Sequence, residues 1–445
     1  MLLLPRFSFR GGVHPLKSQG EGKLPARNEP IRDFVSDAVV IPMNMHLGAP
    51  SKPCVKKGER VRIGQVVGEP MGGLGLSVHA SVSGEVTAVE DRLMLGATPA
   101  PCVCIRNDFA EEWVELVGLG DVEALDPALV IPAIKNAGIC GMGGAGFPTH
   151  VKLTIPSGKV CDTLIVNGAE CETYLTADFR LMVEQPKRIV DGLRAIMRAL
   201  NVPRGVVGIE DNKPEAIAAM RAAAVGRTGV EVMALHTKYP QGGEKQLIEA
   251  VTGRQVPSCG LPVDAGVIVV NVATACAIAD ALVEGRPLVE RVTTVTGCVG
   301  SPGNLRVRIG TVVGDIIGAC GGYTCEPGKI ILGGGMTGLC APDDGVPIAK
   351  TTGGVVVFDR KEAASVLEEP CIRCARCVEV CPIGLRPYLM KHYCDAGDFE
   401  GARAHDVLEC ILCGACSYVC PARRWLTASF KVGKDAVVAA QRRKK

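Results

Sequence analysis

Aromatic side chains are scarce in this chain of 445 residues: they make up 4% of it, with two Trp and six Tyr. The formal net charge is only +2. A nucleic-acid binder needs stacking faces and a basic footprint, so these two scarcities together exclude that class. Long apolar runs are missing too. The most apolar stretch, Ala265 to Val283, is interrupted by Asn271, Thr274 and Asp280, and its opening Val-Ile-Val-Val predicts a buried strand rather than a bilayer span. The start, Met1-Leu-Leu-Leu-Pro5-Arg6, is too short for a signal peptide, and no small-residue cleavage site follows it. The seven histidines form no recognisable metal constellation. The chain is therefore expected to be soluble by itself and to have no membrane-spanning part of its own. Its one charged block, Gln441-Arg442-Arg443-Lys444-Lys445, reads as a solvated basic tail, with attraction to an anionic membrane surface as the alternative.

Cysteine is what the chain has in abundance, 21 residues in all. Two copies of one pattern, CxxCxxCxxxCP, lie near the C-terminus: Cys371-Ile-Arg-Cys374-Ala-Arg-Cys377-Val-Glu-Val-Cys381-Pro382 and Cys410-Ile-Leu-Cys413-Gly-Ala-Cys416-Ser-Tyr-Val-Cys420-Pro421. Three thiolates at two-residue gaps wrap three corners of a cubane, while the fourth, set further along before a proline, ligates the other cluster. The expected assignment is crossed. Cys371, Cys374, Cys377 and Cys420 would hold one 4Fe-4S cluster, and Cys410, Cys413, Cys416 and Cys381 the second. Structural zinc is the competing reading, but it usually takes four ligands as two separated pairs and does not explain three close thiolates twice over. The remaining cysteines lack a disulfide framework spacing, which points to a reducing compartment.

With 47% hydrophobic residues the chain can bury several cores, and its length suits three or four domains. The fold class expected is a multidomain α/β protein. Residues 1–30, rich in Gly and Pro, read as an extended arm. Residues 31–115 alternate short β-rich runs with turn signals and resemble the barrel-sandwich fold of biotinyl and lipoyl carriers. No lysine stands at the hairpin tip near Ser77 to Ser83, so a docking or structural role is expected in place of a swinging arm. Residues 116–288 alternate helical stretches (Pro127 to Asn136, Pro186 to Leu200, Pro214 to Ala224, Glu244 to Val251) with apolar strands, which predicts a Rossmann-like α/β layer. Residues 289–360 read as a small module of the β-grasp ligand-binding type followed by a glycine-rich loop. Residues 361–425 place a helical pair between the cysteine motifs, as in an α-helical ferredoxin-type domain, and 426–445 read as the basic tail.

The second chemical signal is the glycine-rich run from Gly138 to Lys152, Gly-Ile-Cys-Gly-Met-Gly-Gly-Ala-Gly-Phe-Pro-Thr-His-Val-Lys. Gly141, Gly143 and Gly146 match GxGxxG. The dinucleotide fingerprint requires a strand before and a helix after, yet the preceding segment looks helical and Pro148 interrupts the exit, so the ordinary fingerprint is rejected. Adjacent glycines still let backbone N–H groups approach a phosphate, and Lys152 adds a positive charge. Cubane clusters pass single electrons, whereas nicotinamide carries a hydride, and a flavin most economically joins the two.

The same loop resembles the FMN loop of the NADH-oxidising flavoprotein subunit of respiratory complex I. Two later segments are similar to that family in the same order: Val166-Asn167-Gly168-Ala169-Glu170-Cys171-Glu172, and Tyr239-Pro-Gln-Gly-Gly243-Glu244-Lys245-Gln-Leu247. Asn271 stands where that family has an FMN-contacting Asn. Over nearly the whole chain the resemblance is closer still to the RnfC family, components of the Rnf ion-translocating electron transport complexes. Its marks are the Gly-Gly-Val-His-Pro arm, the run Glu170 to Asp178, Pro327-Gly-Lys-Ile-Ile-Leu-Gly-Gly334 and the two cysteine motifs.

That resemblance implies a peripheral subunit of a membrane-bound ferredoxin:NAD oxidoreductase at the cytoplasmic face. Its partners would be integral membrane subunits and an iron-sulfur subunit that accepts electrons from ferredoxin, and electron exchange would be coupled to Na+ or H+ movement. Gly141, Gly143, Gly144, Gly146 and Lys152 would hold the FMN phosphate and ribityl chain, and Asn167 and Asn271 would bind FMN. Glu170 would lie between flavin and nicotinamide, and Phe147 and Glu244 would contact NAD(H). The sequence departs from the two families at three places. Ala169 replaces an aspartate of the complex I subunit, and Thr173 and Phe179 replace the Pro and Asp usual in RnfC chains. Two alternatives remain open at this point, a soluble flavin and iron-sulfur corrinoid reductase and a non-catalytic electron relay.

Overall fold

The structure, a computed structural model, describes residues 7–443. The apolar start Met1–Arg6 and the closing Lys444-Lys445 of the basic block lie outside the described residues. Strands Thr163–Gly168, Arg204–Glu210, Val230–Leu235 and Val267–Asn271 form one parallel sheet. Its spatial order is 230–235, 204–210, 163–168, 267–271. Side chains alternate across it: Leu164, Val166, Val207 and Ile209 enter the largest core, while Ile165, Val206, Val267 and Val269 pack against Leu247, Ile248 and Val251 of helix Glu244–Thr252. Burial of both faces is why these strands read as nearly continuous apolar runs.

The strand order reverses between 163–168 and 267–271. A crevice opens at such a switch point, beyond the carboxyl ends of the strands. Asn167 and Asn271 are register partners at those two ends. Helix Val272–Val283 starts immediately after, its N-cap Asn271 accepting a hydrogen bond from Ala273 N at 2.9 Å.

The β-rich unit before it consists of a four-stranded and a three-stranded sheet lying between Ala38 and Asn107. Its hairpin region is docked: Ser81 and Ser83 are buried, Ser81 Oγ donates to Ile309 O at 2.6 Å, and the buried Lys350 ammonium donates to Ser77 O at 3.1 Å. Strand Ile31–Phe34 leaves this unit and pairs with Gly303–Arg308 in a mixed six-stranded sheet with Glu290–Gly297, Gly354–Asp359, Pro327–Leu332 and Leu339–Cys340.

Two segments differ from the sequence expectation. The arm is not extended throughout: Lys17–Gly22 forms a 3-10 turn and Leu24–Arg27 a helical turn with Pro25 near its start. The turn is held because Asn304 Nδ2 donates to Ala26 O at 2.9 Å and to Glu29 O at 3.2 Å. The segment read as a solvated tail is the helix Leu426–Arg443, whose Leu426, Phe430 and Val437 are buried in the core of the cysteine-bearing unit. Helical spacing puts these three on one stripe, and that burial outweighs the solvation of the basic end. Among the described residues no helix is long and apolar enough to cross a membrane.

Candidate functional site

The glycine loop leaves helix Pro127–Asn136 and folds over the crevice mouth. It is closed at its base by Gly141 N donating to Phe147 O at 2.9 Å and fastened to the β-rich unit by Leu47 N donating to Gly146 O at 3.0 Å. Gly143, Gly144 and Phe147 are exposed, whereas Gly146 is buried. A Cβ on Gly143 would lie 2.8 Å from Asn271 Nδ2, so the loop reaches the switch point only because that side chain is missing. A Cβ on Gly144 would meet nothing within 4 Å, so that backbone faces open space.

Asn271 Nδ2 donates to Asp178 Oδ2 at 2.6 Å, and Asn167 Nδ2 donates to Gly242 O at 2.9 Å. Glu170, half-buried at the crevice edge with φ 46°, accepts hydrogen bonds from Asp178 N at 2.7 Å and Phe179 N at 3.1 Å. Burial raises its carboxyl to about 7; Lys23 opposes the shift and Asp178 adds to it. The Lys23 ammonium donates to Glu170 O, so the arm reaches under the crevice. Lys152 Nζ and Glu244 Oε1 form an ion pair at 2.6 Å, which joins the short helix after the loop to the start of helix Glu244–Thr252. The structure thus links Gly143 and Asn271 through Asp178 to Glu170, and sets Asn167 against Gly242, two residues before the Glu244 of the Lys152 ion pair.

Several members carried no assigned role in the sequence. Asp178 closes the quoted run from Glu170, and its Oδ1 is buried without a hydrogen-bond partner, so it retains one acceptor at the crevice. Thr274 Oγ1 accepts from Met142 N at 3.0 Å and sits three residues after Asn271, a spacing that could have flagged it. Arg291 had no such signal. It enters from strand Glu290–Gly297, is 3% exposed, and donates through Nη2 to Met142 O at 3.2 Å. At the three departures, Ala169 is buried beside Gly242, Thr173 Oγ1 accepts from Gly335 N at 3.2 Å, and Phe179 lies 4.5 Å beneath the Arg27 guanidinium.

The cysteine motifs repeat in backbone as well as sequence. Arg373 and Leu412, Ala375 and Gly414, and Gly384 and Arg423 occupy equivalent places and all have positive φ. Such left-handed residues turn successive N–H groups into a concave nest suited to an anionic centre. Backbone N–H groups reach the sulfurs: Arg373 N to Cys371, Leu412 N to Cys410 and Leu385 N to Cys381, at 3.4, 3.4 and 3.3 Å. Cys377 lies near Cys420, Cys371 and Cys374. A cavity is lined by Cys381, Cys410, Cys413 and Cys416 with Leu385, Met390 and Phe430. Cys420 thus lies beside the first triplet and Cys381 beside the second. Among the described residues no three His, Cys, Asp or Glu side chains are gathered tightly enough for a single metal ion. A cubane makes a different demand, because each thiolate binds its own iron. Cys140, Cys171 and Cys394 belong to neither set, and Cys394 is part of the apolar core.

The two regions touch. Tyr239, 3% exposed, donates through Oη to Cys413 O at 2.7 Å. Its backbone pairs with Val13, and Gly12 N donates to Val380 O at 2.9 Å, so the arm lies between crevice and cysteines.

Four family descriptions match in succession: the RnfC barrel sandwich hybrid domain over residues 7–110, the Nuo51 FMN-binding domain over 134–280, the SLBB domain over 292–339 and the 4Fe-4S dicluster domain over 363–421. FMN and iron-sulfur clusters are accordingly the cofactors of this architecture. The NAD+-reducing [NiFe]-hydrogenase, solved in its air-oxidised state, shares the fold with TM-score 0.52 at 21% identity, over 71% of this chain and 66% of that one. The C component of the proton-translocating ferredoxin:NAD(+) oxidoreductase complex of Clostridium ljungdahlii is 44% identical over 387 residues, 86% of this chain and 84% of that one. The C component of the Na(+)-translocating ferredoxin:NAD(+) oxidoreductase complex of Acetobacterium woodii is 43% identical over 442 residues, 98% of each chain. With likeness at that level along its whole length, the chain belongs to the RnfC family of ion-translocating oxidoreductase complexes.

Proposed function

We propose that this chain is the NAD(H)-side subunit of a ferredoxin:NAD oxidoreductase complex, peripheral at the cytoplasmic face of the membrane. It exchanges electrons with partner subunits, among them integral membrane subunits and an iron-sulfur subunit that accepts electrons from ferredoxin. Bound FMN supplies the exchange between a two-electron hydride and single electrons, which the two 4Fe-4S clusters carry. Ion movement belongs to the partners.

The chain's own residues divide the work. The exposed backbone of Gly143 and Gly144, on the loop that Gly141 closes and Gly146 anchors, would cradle the phosphate, and Lys152 would exchange its Glu244 partner for it. Asn167 and Asn271 orient the flavin, and Asp178 fixes the Asn271 amide. Glu170, Phe147 and Glu244 face the nicotinamide nucleotide. Cys381, Cys410, Cys413 and Cys416 hold the cluster beside the crevice, and Cys371, Cys374, Cys377 and Cys420 hold the outer one.

The observation that carries this reading is the Tyr239 contact. It joins the crevice region to the Cys410–Cys416 motif, which supports a path from nucleotide to cluster within one chain. The test is anaerobic reconstitution with iron, sulfide and FMN, then titration with NADH. About eight irons and one flavin per chain, a flavin bleached by NADH, and clusters reduced after it are expected. Iron without a NADH-reducible flavin would overturn the reading in favour of a passive relay.

A further inference from the structure

The two cysteine sets differ in cover. Cys416 is buried, and Cys381, Cys410 and Cys413 are half-buried among the helix Leu426–Arg443, the arm and Tyr239. Cys371 and Cys374 are exposed. Around these two, large apolar side chains also lie uncovered: Leu367 at 87%, Ile372 at 68% and Trp425 at 54% exposure. The two segments that carry them are joined, since Glu369 N donates to Ala422 O at 3.0 Å and Trp425 N donates to the Glu368 carboxylate. An uncovered apolar group beside a half-covered redox site marks an interaction surface.

Its charge indicates what fits there. Arg373, Arg376 and Arg423 are exposed, and among the described residues none has an ion-pair partner. Arg373 and Arg376 flank Cys374 and Cys377, and Arg423 N donates to Cys420 O at 3.0 Å, so all three border the same set of thiols. Of the carboxylates in these two segments, Glu368 is engaged by Lys391 and Arg424, which leaves Glu369 and Glu379 against three free guanidinium groups.

We propose that this face is the docking surface for an electron-carrier protein that presents its own cofactor beneath an acidic, partly apolar rim. The proposal rests on the cluster assignment above and adds where the wire leaves the chain and the charge of what receives it. Redox encounters are small and transient, and unpaired guanidinium groups around the exit steer an acidic partner and repel a basic one.

The test uses the reconstituted holoprotein with cytochrome b5 as the acidic probe and cytochrome c as the basic one. Binding of the oxidised proteins is measured by calorimetry, and electron transfer from the NADH-reduced protein by stopped flow. Cytochrome b5 should bind and be reduced at low salt, with a rate falling at least about tenfold by 0.5 M salt. The triple variant R373E/R376E/R423E should lose this binding and gain reactivity towards cytochrome c. Iron content and flavin bleaching by NADH report whether the variant is loaded; the salt series on the unmodified protein needs no variant. Clusters that reduce normally while both probes ignore salt and charge reversal would overturn the docking proposal alone. Clusters that stay oxidised beside a bleached flavin would sink the wire and this proposal with it. Salt-sensitive binding to anionic lipid vesicles without binding of cytochrome b5 would assign the face to a membrane and overturn the proposal too.

Discussion

Replacing Glu170 with Gln isolates one titration at the crevice edge. Burial lifts this carboxyl from an ordinary 4.5 to about 7. The folded chain therefore holds the proton more tightly than the unfolded one. The resulting stabilisation is fully present below pH 4.5, declines as pH rises, and is gone once pH has passed through about 7. A shift of that size corresponds to about 3 kcal/mol, and to about 2 kcal/mol once the side chain's remaining contact with water is allowed for. The Gln side chain does not titrate, so the variant lacks this decline. It also loses one of the two backbone hydrogen bonds, from Asp178 or Phe179, but that offset is the same at every pH. Thermal unfolding of FMN-free, cluster-loaded protein between pH 5 and 8.5 reads the difference. With roughly 2–4 °C per kcal/mol for a unit of this size, Glu170→Gln should gain several degrees relative to the parent between the two ends of the range. Parallel pH profiles for the two proteins would refute the argument, because they would mean that the carboxylate is ionised throughout at no cost.

Tyr239→Phe removes the hydrogen bond to Cys413 O, worth about 1–2 kcal/mol at a buried site, and should speed amide hydrogen exchange in residues 413–416 by about tenfold; unchanged exchange counts against the contact. Gly143→Ala should weaken FMN binding at least about tenfold in a fluorescence titration, since the new Cβ would need the space of the Asn271 amide. Gly11→Ala sets a Cβ 2.8 Å from Cys381 O at a φ of +75°, and should release the arm to limited proteolysis near residue 11 while iron content stays intact. Lys213→Met leaves the fully buried Glu210 carboxylate without its partner at 2.8 Å and should cost about 3–5 kcal/mol, read as a fall in the unfolding temperature.

Periodicity made the α/β layer legible, because its signals are local. Helices Pro127–Asn136, Pro186–Leu200 and Pro214–Ala224 each start on a proline and carry an apolar stripe, and the strands between them are buried on both faces. The cysteine spacing was equally local. What the sequence hid was set by tertiary packing. Nothing about Arg291, over a hundred residues from the glycine loop, marks it as the donor to Met142 O. Lys23 lies in a Gly- and Pro-rich stretch that reads as an extended arm, yet it is 3% exposed under Glu170. The closing segment reads as a charged tail because its basic residues cluster at the end, while the stripe of Leu426, Phe430 and Val437 that holds it down is sparse.

The arm shows why these parts make one unit. Gly11 packs its backbone on Val380 and Cys381 of the first cysteine motif, and a Cβ on Gly12 would lie 2.7 Å from Tyr239 O on the crevice side. A single strand of chain is thus pressed between the two redox regions, and only a residue pair without side chains fits both approaches. The same arm then delivers Lys23 beneath Glu170. Loosening it would disturb the contact with the cysteine motif and the crevice carboxyl together, so the two glycines near the N-terminus serve the geometry between the two regions.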